Sequence, residues 1–281
     1  MERKISLQFL EYWCVDTGWK ASQRIQRFQN RRFAQIKRQH DFIQQATLES
    51  TVIYMPKVVG ICGSERLKGN TEAFLQGALD TISDYGIKTE LITLADKKII
   101  RGCTGCNWCR SNRAECVIKD DFMPIWRKMH EADGIILGSP VYWGSATAKI
   151  KAVLERAGVV SEGRAVDNLD GPVEDLGWPE EEKPPGLFYR KVGGAIATTR
   201  RTGANATLAE LLMWFIINNF IVVGSSYWTI GVGAKRVPKK GTDEKSGSKH
   251  TTNMYETDME GNWTIRHFGE NFAWVIEKFS K

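Results

Sequence analysis

Short apolar runs alternate along the chain with longer segments whose apolar residues recur at helical spacing. The short runs predict strands, because β-branched residues gather in them and turn residues follow them. The helical spacing predicts amphipathic helices between and after the strands. The predicted strands cover residues 57–62, 87–94, 134–138, 192–198 and 220–228, and the predicted helices cover residues 70–85, 121–130, 146–157, 204–217 and 263–279.

Several of these strands are apolar on both faces, which is typical of a parallel sheet buried between two layers of helices. Residues 56–281 are therefore expected to form one α/β domain with five parallel strands. In such sheets a ligand binds beyond the carboxyl ends of the strands. Three distinctive loops follow strands one, three and four: the phosphate loop (63–71), the ring loop (139–145) and the third loop (199–204).

Residues 1–55 differ from the rest in being rich in Gln, Arg and aromatic residues. Ile25, Phe28, Ile36 and Ile43 predict an amphipathic helix over residues 21–46, with a basic opposite face. This helical extension is expected to pack on the main domain or on a partner subunit. A calmodulin-binding or membrane-surface helix is the alternative interpretation.

The formal net charge of +6 is concentrated in two places. Residues 1–50 hold nine Lys or Arg against five Asp or Glu, and a second basic stretch lies within residues 235–249. Neither contains a nucleic-acid motif, so a solvated or subunit-facing surface is favoured over nucleic-acid binding. No apolar run reaches the ~20 residues of a membrane span, and no secretory signal follows Met1. These patterns favour a cytoplasmic protein with no membrane partner. Residues 161–186 and 234–262 read as polar surface insertions.

The phosphate loop connects a strand to the start of a helix, where free N–H groups and the helix dipole favour an anion. It lacks the Walker A ending and the dinucleotide Gly-x-Gly-x-x-Gly pattern. A helix capped after a polar turn is the alternative. The residues that suit an anion are Ser64, Arg66, Asn70 and Thr71.

The ring loop and the third loop supply groups that suit a flat ligand. Pro140 stiffens the ring loop, and Gly144 permits close approach of the backbone. Tyr142 and Trp143 offer planar surfaces, and the alternative is that both pack beneath a neighbouring helix. The candidate binding residues in these loops are Pro140, Val141, Tyr142, Trp143, Gly144, Ser145, Thr199 and Arg200.

Four of the six cysteines crowd into the cysteine loop (99–120), as Cys103, Cys106, Cys109 and Cys116. Clustered thiolates in a chain of this size favour a metal or redox centre over a disulfide scaffold. Thiolates prefer soft metals, and iron–sulfur clusters are commonly held by four cysteine thiolates. A zinc site and redox-sensitive thiols without a cluster are the alternatives. Cys62 is expected to be a small core residue.

The three loops together resemble the NADPH-dependent FMN reductase superfamily, which has a flavodoxin-like fold. Gly63-Ser64 through Gly69-Asn70-Thr71 is similar to that family's FMN-phosphate loop. Ser139-Pro-Val-Tyr-Trp-Gly-Ser145 is similar to its flavin-ring loop, and residues 198–203 fall where it has a third flavin loop. The third loop is less rich in glycine than the family pattern. The resemblance covers residues 57–281 and implies a flavodoxin-like doubly wound sheet that binds FMN.

The spacing of the four cysteines resembles that of the iron–sulfur flavoproteins, a branch of the same superfamily. This resemblance implies that Cys103, Cys106, Cys109 and Cys116 ligate one [4Fe-4S] cluster close to the FMN. It also implies a homodimer or homotetramer, since flavin sites in this superfamily commonly lie near subunit contacts.

The expected function is that of an electron-transfer flavoenzyme, in which FMN and the cluster couple a one-electron donor such as ferredoxin to a two-electron acceptor. Two alternatives remain open. One is a cluster-free NAD(P)H-dependent FMN or quinone reductase. The other is a non-enzymatic redox sensor that changes its binding to a partner.

Overall fold

The computed structural model describes residues 54–112, 114–163, 186–232 and 258–279. The predicted N-terminal helix and most of the two polar insertions lie outside the described residues. No helix of the described part is long and apolar enough to cross a membrane.

The centre of the domain is a parallel sheet in the order β2-β1-β3-β4-β5, with β6 also paired to β4. This is the flavodoxin order: all pairings are parallel, and the direction in which successive strands are added reverses between β1 and β3. The strands are β1 (Lys57–Cys62), β2 (Lys88–Thr93), β3 (Gly134–Pro140), β4 (Val192–Thr199), β5 (Ile221–Val222) and β6 (Ile230–Val232).

Helices cover both faces of this sheet, as the sequence predicted. They are α1 (Asn70–Ser83), α2 (Trp108–Ser111), α3 (Phe122–Glu131), α4 (Ala148–Gly163), α5 (Ala204–Ile217) and α6 (Met259–Phe279).

Neighbouring residues of each central strand point to opposite faces, so each strand contributes to two cores. Val58 and Ile136 pack against α1 and α6 on one face. Val59 and Ile135 pack against α3, α4 and α5 on the other. All eight residues of β4 are buried, which explains why the strand carries no charged side chain.

The sequence predicted a single fifth strand over residues 220–228, but the structure has two short strands, β5 and β6, beside β4. Ile221 pairs with Val192 at one end of β4, whereas Ile230 pairs with Ala197 near the other end. The chain between β5 and β6 leaves the sheet, and Tyr227 and Trp228 are exposed there. Aromatic residues favour strands through packing against neighbours, and this segment lacks those neighbours.

Candidate functional site

The phosphate loop leaves β1 at the carboxyl end of the sheet. Its first N–H, that of Gly63, donates to the carbonyl oxygen of Gly138 across a 2.7 Å hydrogen bond. Ser64 is buried, and its Oγ accepts a hydrogen bond from the N–H of Arg66 at 3.1 Å. The loop ends at Gly69, the N-cap of α1, and no side chain caps the helix. The first-turn N–H groups, which include those of Asn70 and Thr71, are therefore placed to receive an anion.

Charge around the phosphate loop is partly neutralised within the protein. Glu65 would repel an anion, but its carboxylate forms an ion pair of 2.8 Å with Lys149 from α4. The Lys149 ammonium also donates to the carbonyl oxygen of Leu94 at 2.9 Å. The guanidinium of Arg66 is exposed and free to approach a bound anion.

Two buried hydroxyl contacts join the phosphate loop to the neighbouring loops. Thr71 Oγ1 lies 2.5 Å from Thr198 Oγ1, at the end of β4. Thr147 Oγ1 donates to the carbonyl oxygen of Gly63 at 2.7 Å. Thr71 belonged to the predicted site, whereas Thr147 did not.

The ring loop closes on itself in a tight turn. The N–H of Tyr142 donates to the carbonyl oxygen of Ser145 at 2.9 Å, and the reverse bond measures 3.1 Å. Trp143 and Gly144, at the centre of the turn, have φ angles of +52° and +83°. Two successive positive φ values are typical of a type I′ turn, in which Trp is an unusual residue. The turn thus engages the N–H groups of Tyr142 and Ser145.

The aromatic side chains of this turn face outward. The indole of Trp143 is fully exposed and Tyr142 is 41% exposed. Neither is packed beneath a helix, which was the alternative that the sequence left open. Pro140 is half-buried at the end of β3, where it pairs with Thr198 of β4.

The third loop lies directly against the ring loop. Gly203 has a φ of +87°, and a Cβ at this position would lie 2.9 Å from Cγ1 of Val141. Thr199 Oγ1 donates to the carbonyl oxygen of Thr202 at 2.8 Å and accepts from the N–H of Arg201. Its hydroxyl is thus engaged within the loop, while the guanidinium of Arg200 is exposed.

Glu210, which the sequence argument missed, holds the ring loop from α5. Its Oε2 accepts hydrogen bonds from Ser145 Oγ at 2.8 Å and from the N–H of Ala146 at 3.0 Å. Lys151 also donates to Ser145 Oγ, at 3.0 Å. The signal in the sequence was that Glu210 is the one charged residue of an otherwise apolar helix.

The four cysteines of the cysteine loop line one pocket, the cysteine pocket, together with Arg156 and Val159 of α4. None of these four forms a disulfide. Burial raises the pKa of Cys109, and the negative charge of the other three thiolates adds to that rise. Hydrogen bonds from the Trp108 N–H and the Thr104 hydroxyl lower the pKa of Cys106. Among the described residues, no three His, Cys, Asp or Glu side chains converge to hold a single metal ion.

Helix α4 contacts the cysteine loop near its first and last cysteines. The N–H of Cys103 donates to Glu155 Oε2 at 3.2 Å, and Arg156 Nη2 donates to Cys116 Sγ at 3.3 Å. Cys109 Sγ lies 3.9 Å from the carbonyl oxygen of Val159. A Cβ at Gly102 would overlap with Glu155 Oε2, so a larger residue there would force this carboxylate to move.

The same helix begins beside the ring loop. From Thr147 to Val159 the helical rise gives a separation of about 18 Å along its axis. The phosphate loop, the ring loop and the third loop together form one rim of the sheet, the three-loop rim. Helix α4 thus connects this three-loop rim, at the start of the helix, with the cysteine pocket along its later turns. Cys62 lies outside the cysteine pocket, at the end of β1 just before the phosphate loop: it is fully buried, as predicted, and burial raises its pKa to about 12.

Comparison with known proteins adds three findings. The family model described as NADPH-dependent FMN reductase matches residues 56–235. An iron–sulfur flavoprotein of Methanocaldococcus jannaschii is 36% identical over 227 residues, which are 80% of this chain and 100% of the relative. An iron–sulfur flavoprotein of Archaeoglobus fulgidus is 31% identical over 223 residues, 79% of this chain and 97% of the relative.

The fold has a counterpart among solved structures. The crystal structure of RosB with bound 8-demethyl-8-formylriboflavin-5′-phosphate superposes with a TM-score of 0.54 and 18% identity, over 80% of each chain. At this identity the likeness concerns the fold alone.

Proposed function

The chain belongs to the NADPH-dependent FMN reductase family and is a flavin-dependent oxidoreductase; from that premise we propose that it pairs FMN with a [4Fe-4S] cluster. In this proposal the protein couples a one-electron donor such as ferredoxin to a two-electron acceptor. FMN supplies two-electron and one-electron chemistry, and the cluster supplies one-electron chemistry.

The three-loop rim is the proposed FMN site. The phosphate loop would bind the phosphate through the uncapped N-terminus of α1, with Ser64, Asn70 and Thr71 nearby and the Arg66 guanidinium adding charge. The fit rests on the carboxyl-end location of the rim and on the positive end of the α1 dipole there.

The ring loop and the third loop would hold the flavin ring. Because the turn engages the N–H groups of Tyr142 and Ser145, the N–H groups of Trp143 and Gly144 remain for the polar edge of the ring. The exposed indole of Trp143 would lie against the ring face. Arg200 would bring positive charge beside the ring, where the reduced flavin gains electron density.

The observation that carries the cluster is the cysteine pocket with its buried cation. Four thiols surround one pocket, and the buried guanidinium of Arg156 contacts one of them. Arg156 Nε is buried and has no hydrogen-bond acceptor among the described residues. A buried N–H without an acceptor is costly, and the sulfur-rich surface of a cluster offers acceptors. Both archaeal relatives are iron–sulfur flavoproteins, which agrees with this proposal.

The test is anaerobic purification followed by visible spectroscopy and by analysis of iron, sulfide and flavin. We expect about four irons, about four sulfides and one FMN per chain. Serine substitutions at Cys103, Cys106, Cys109 and Cys116 should each remove iron and sulfide while FMN stays bound. Cys62→Ala is the control, because Cys62 lies outside the pocket, and it should keep both cofactors.

A cluster-free NAD(P)H-dependent reductase is the second candidate, favoured by the nicotinamide named in the family description. Wild-type protein that carries FMN and oxidises NADPH, yet lacks iron and sulfide after anaerobic preparation, would establish it instead. Iron without sulfide would contradict both candidates.

A further inference from the structure

We propose that Arg156 is a positioning residue that holds Cys116 by an N–H···S hydrogen bond and raises the reduction potential of the cluster. This inference rests on the cluster of the proposed function. It adds a residue that contacts a ligand sulfur without being a ligand itself.

The guanidinium of Arg156 is fixed on several sides. Its Nη1 and Nη2 form a two-pronged ion pair with Asp120, at 2.7 and 2.9 Å. Nη2 also donates to Cys116 Sγ and to the carbonyl oxygen of Ile118, both at 3.3 Å. The Cζ atom lies 4.1 Å from the centre of the Phe122 ring. With 1% of its side chain exposed, Arg156 has no freedom to turn toward solvent.

Asp120 aligns this cation and ties the cysteine loop together. Its carboxylate accepts hydrogen bonds from the N–H of Ile100, before the first cysteine, and from the N–H of Phe122, after the last. The Asp120 side chain is fully buried. Asp120 therefore holds Arg156 in place and also connects the chain before the first cysteine with the chain after the last one.

A buried ion pair is an expensive way to stabilise a protein, because both charges lose their water. Apolar residues of similar size often serve equally well in such places. What an apolar pair lacks is a charged donor aimed at a sulfur atom. The geometry of Arg156 therefore points to the sulfur as the group that this cation serves.

The effect on the redox step follows from charge. A cluster held by these cysteines would accept one electron from a one-electron carrier such as ferredoxin. This step would form or break no bond and would move no proton. The reduced cluster carries one more negative charge than the oxidised cluster. A charged N–H donor stabilises the more negative state more strongly, so the hydrogen bond raises the reduction potential.

The experiment compares Arg156→Gln with Arg127→Gln in the full-length protein with both cofactors. Arg127 is the matched control: it pairs with Glu115, next to Cys116, at 2.7 Å, but its side chain is 55% exposed. The midpoint potential of the cluster is measured by redox titration followed by EPR, alongside iron, sulfide and FMN content. Arg156→Gln should lower the equilibrium constant for reduction roughly tenfold, or about 59 mV for one electron. Arg127→Gln should leave the potential unchanged.

Several outcomes decide the proposal. A wild-type potential in Arg156→Gln with full cofactor content overturns it, as does an equal shift in Arg127→Gln. If Arg156→Gln does not fold or loses the cluster, Arg156→Lys is measured, since Lys keeps the positive charge but loses the planar fork that serves Asp120 and Cys116 together. A lowered potential there supports the role, and a wild-type potential, or loss of the cluster in this variant too, overturns it.

Failure of the proposed function has a different signature. Wild-type protein without iron and sulfide refutes the cluster itself, and this inference falls with it. Wild-type protein with a cluster whose potential does not depend on Arg156 refutes this inference alone.

Discussion

Thr71 and Thr198 are 127 residues apart in the chain, yet their Oγ1 atoms share a buried hydrogen bond of 2.5 Å. Thr71 lies in the first turn of α1 and Thr198 near the end of β4. The bond joins the proposed phosphate site to the strand that carries the third loop. We therefore expect this bond to affect both folding and FMN binding.

Replacing either threonine with valine should lower the free energy of unfolding by about 1–3 kcal/mol, because the remaining hydroxyl is left buried without its partner. The double variant should lose less than the sum of the single variants, since neither hydroxyl remains. Urea unfolding of all four proteins measures this. Strictly additive losses would show that the two hydroxyls act independently.

Glu210→Ala should weaken FMN binding roughly tenfold, because the ring loop loses two hydrogen bonds to a carboxylate. Titration of the apoprotein with FMN, followed by flavin fluorescence, gives the dissociation constant. Glu277→Ala is the control, because Glu277 is exposed on α6. An unchanged FMN affinity in Glu210→Ala would mean that the ring loop keeps its form without this contact.

Trp143→Asn should separate stability from binding. The indole is fully exposed among the described residues, and Asn tolerates positive φ, so the free energy of unfolding should change by less than about 0.5 kcal/mol. FMN binding should weaken by roughly two- to tenfold if the indole stacks on the flavin. Trp274→Ala, at an exposed position of α6, is the control for loss of an aromatic residue. Equal FMN affinity in both variants would remove Trp143 from the site.

Glu90 should make stability depend on pH in the acid range. Burial alone would raise its pKa, but hydrogen bonds from Lys128 and Lys57 hold the pKa below the ordinary value. The stabilisation is therefore present above the unfolded pKa of about 4.3 and is lost as the pH falls through the folded value. Because the group is partly exposed, its contribution at pH 7 should not exceed about 1 kcal/mol.

Urea unfolding of wild type and Glu90→Gln at pH 7 and at pH 3 tests this dependence. The difference between the two proteins should shrink toward zero at pH 3. A constant difference would assign the effect to packing rather than to charge.

The sequence predicted most of the sheet because burial leaves a simple pattern. Residues 192–198 and 134–138 had to be apolar on both faces, and they form β4 and β3. Helix α5 spans the predicted residues 204–217 because its apolar face lies against that sheet.

Contacts between distant residues could not be read in the same way. Ser145 and Glu210 are 65 residues apart, and no local pattern indicates that pair. The short helix α2 and the break between β5 and β6 also went unpredicted, because tertiary contacts decide them. Four residues of the predicted site, Ser64, Tyr142, Thr199 and Gly144, lie on loops at one end of the sheet. Their roles toward FMN remain predictions, as do the ferredoxin-like donor and the homo-oligomer.

The interrupted fifth position of the sheet has a consequence for solubility. An exposed edge strand offers unpaired N–H and carbonyl groups to other chains, which is a route to aggregation. Here β5 has two residues and β6 has three, so a foreign strand finds only short stretches to pair with. At the opposite edge, Lys88 and Glu90 place charges along β2. Both edges of the sheet therefore have features that disfavour pairing with a strand of another chain, and thus fibril growth.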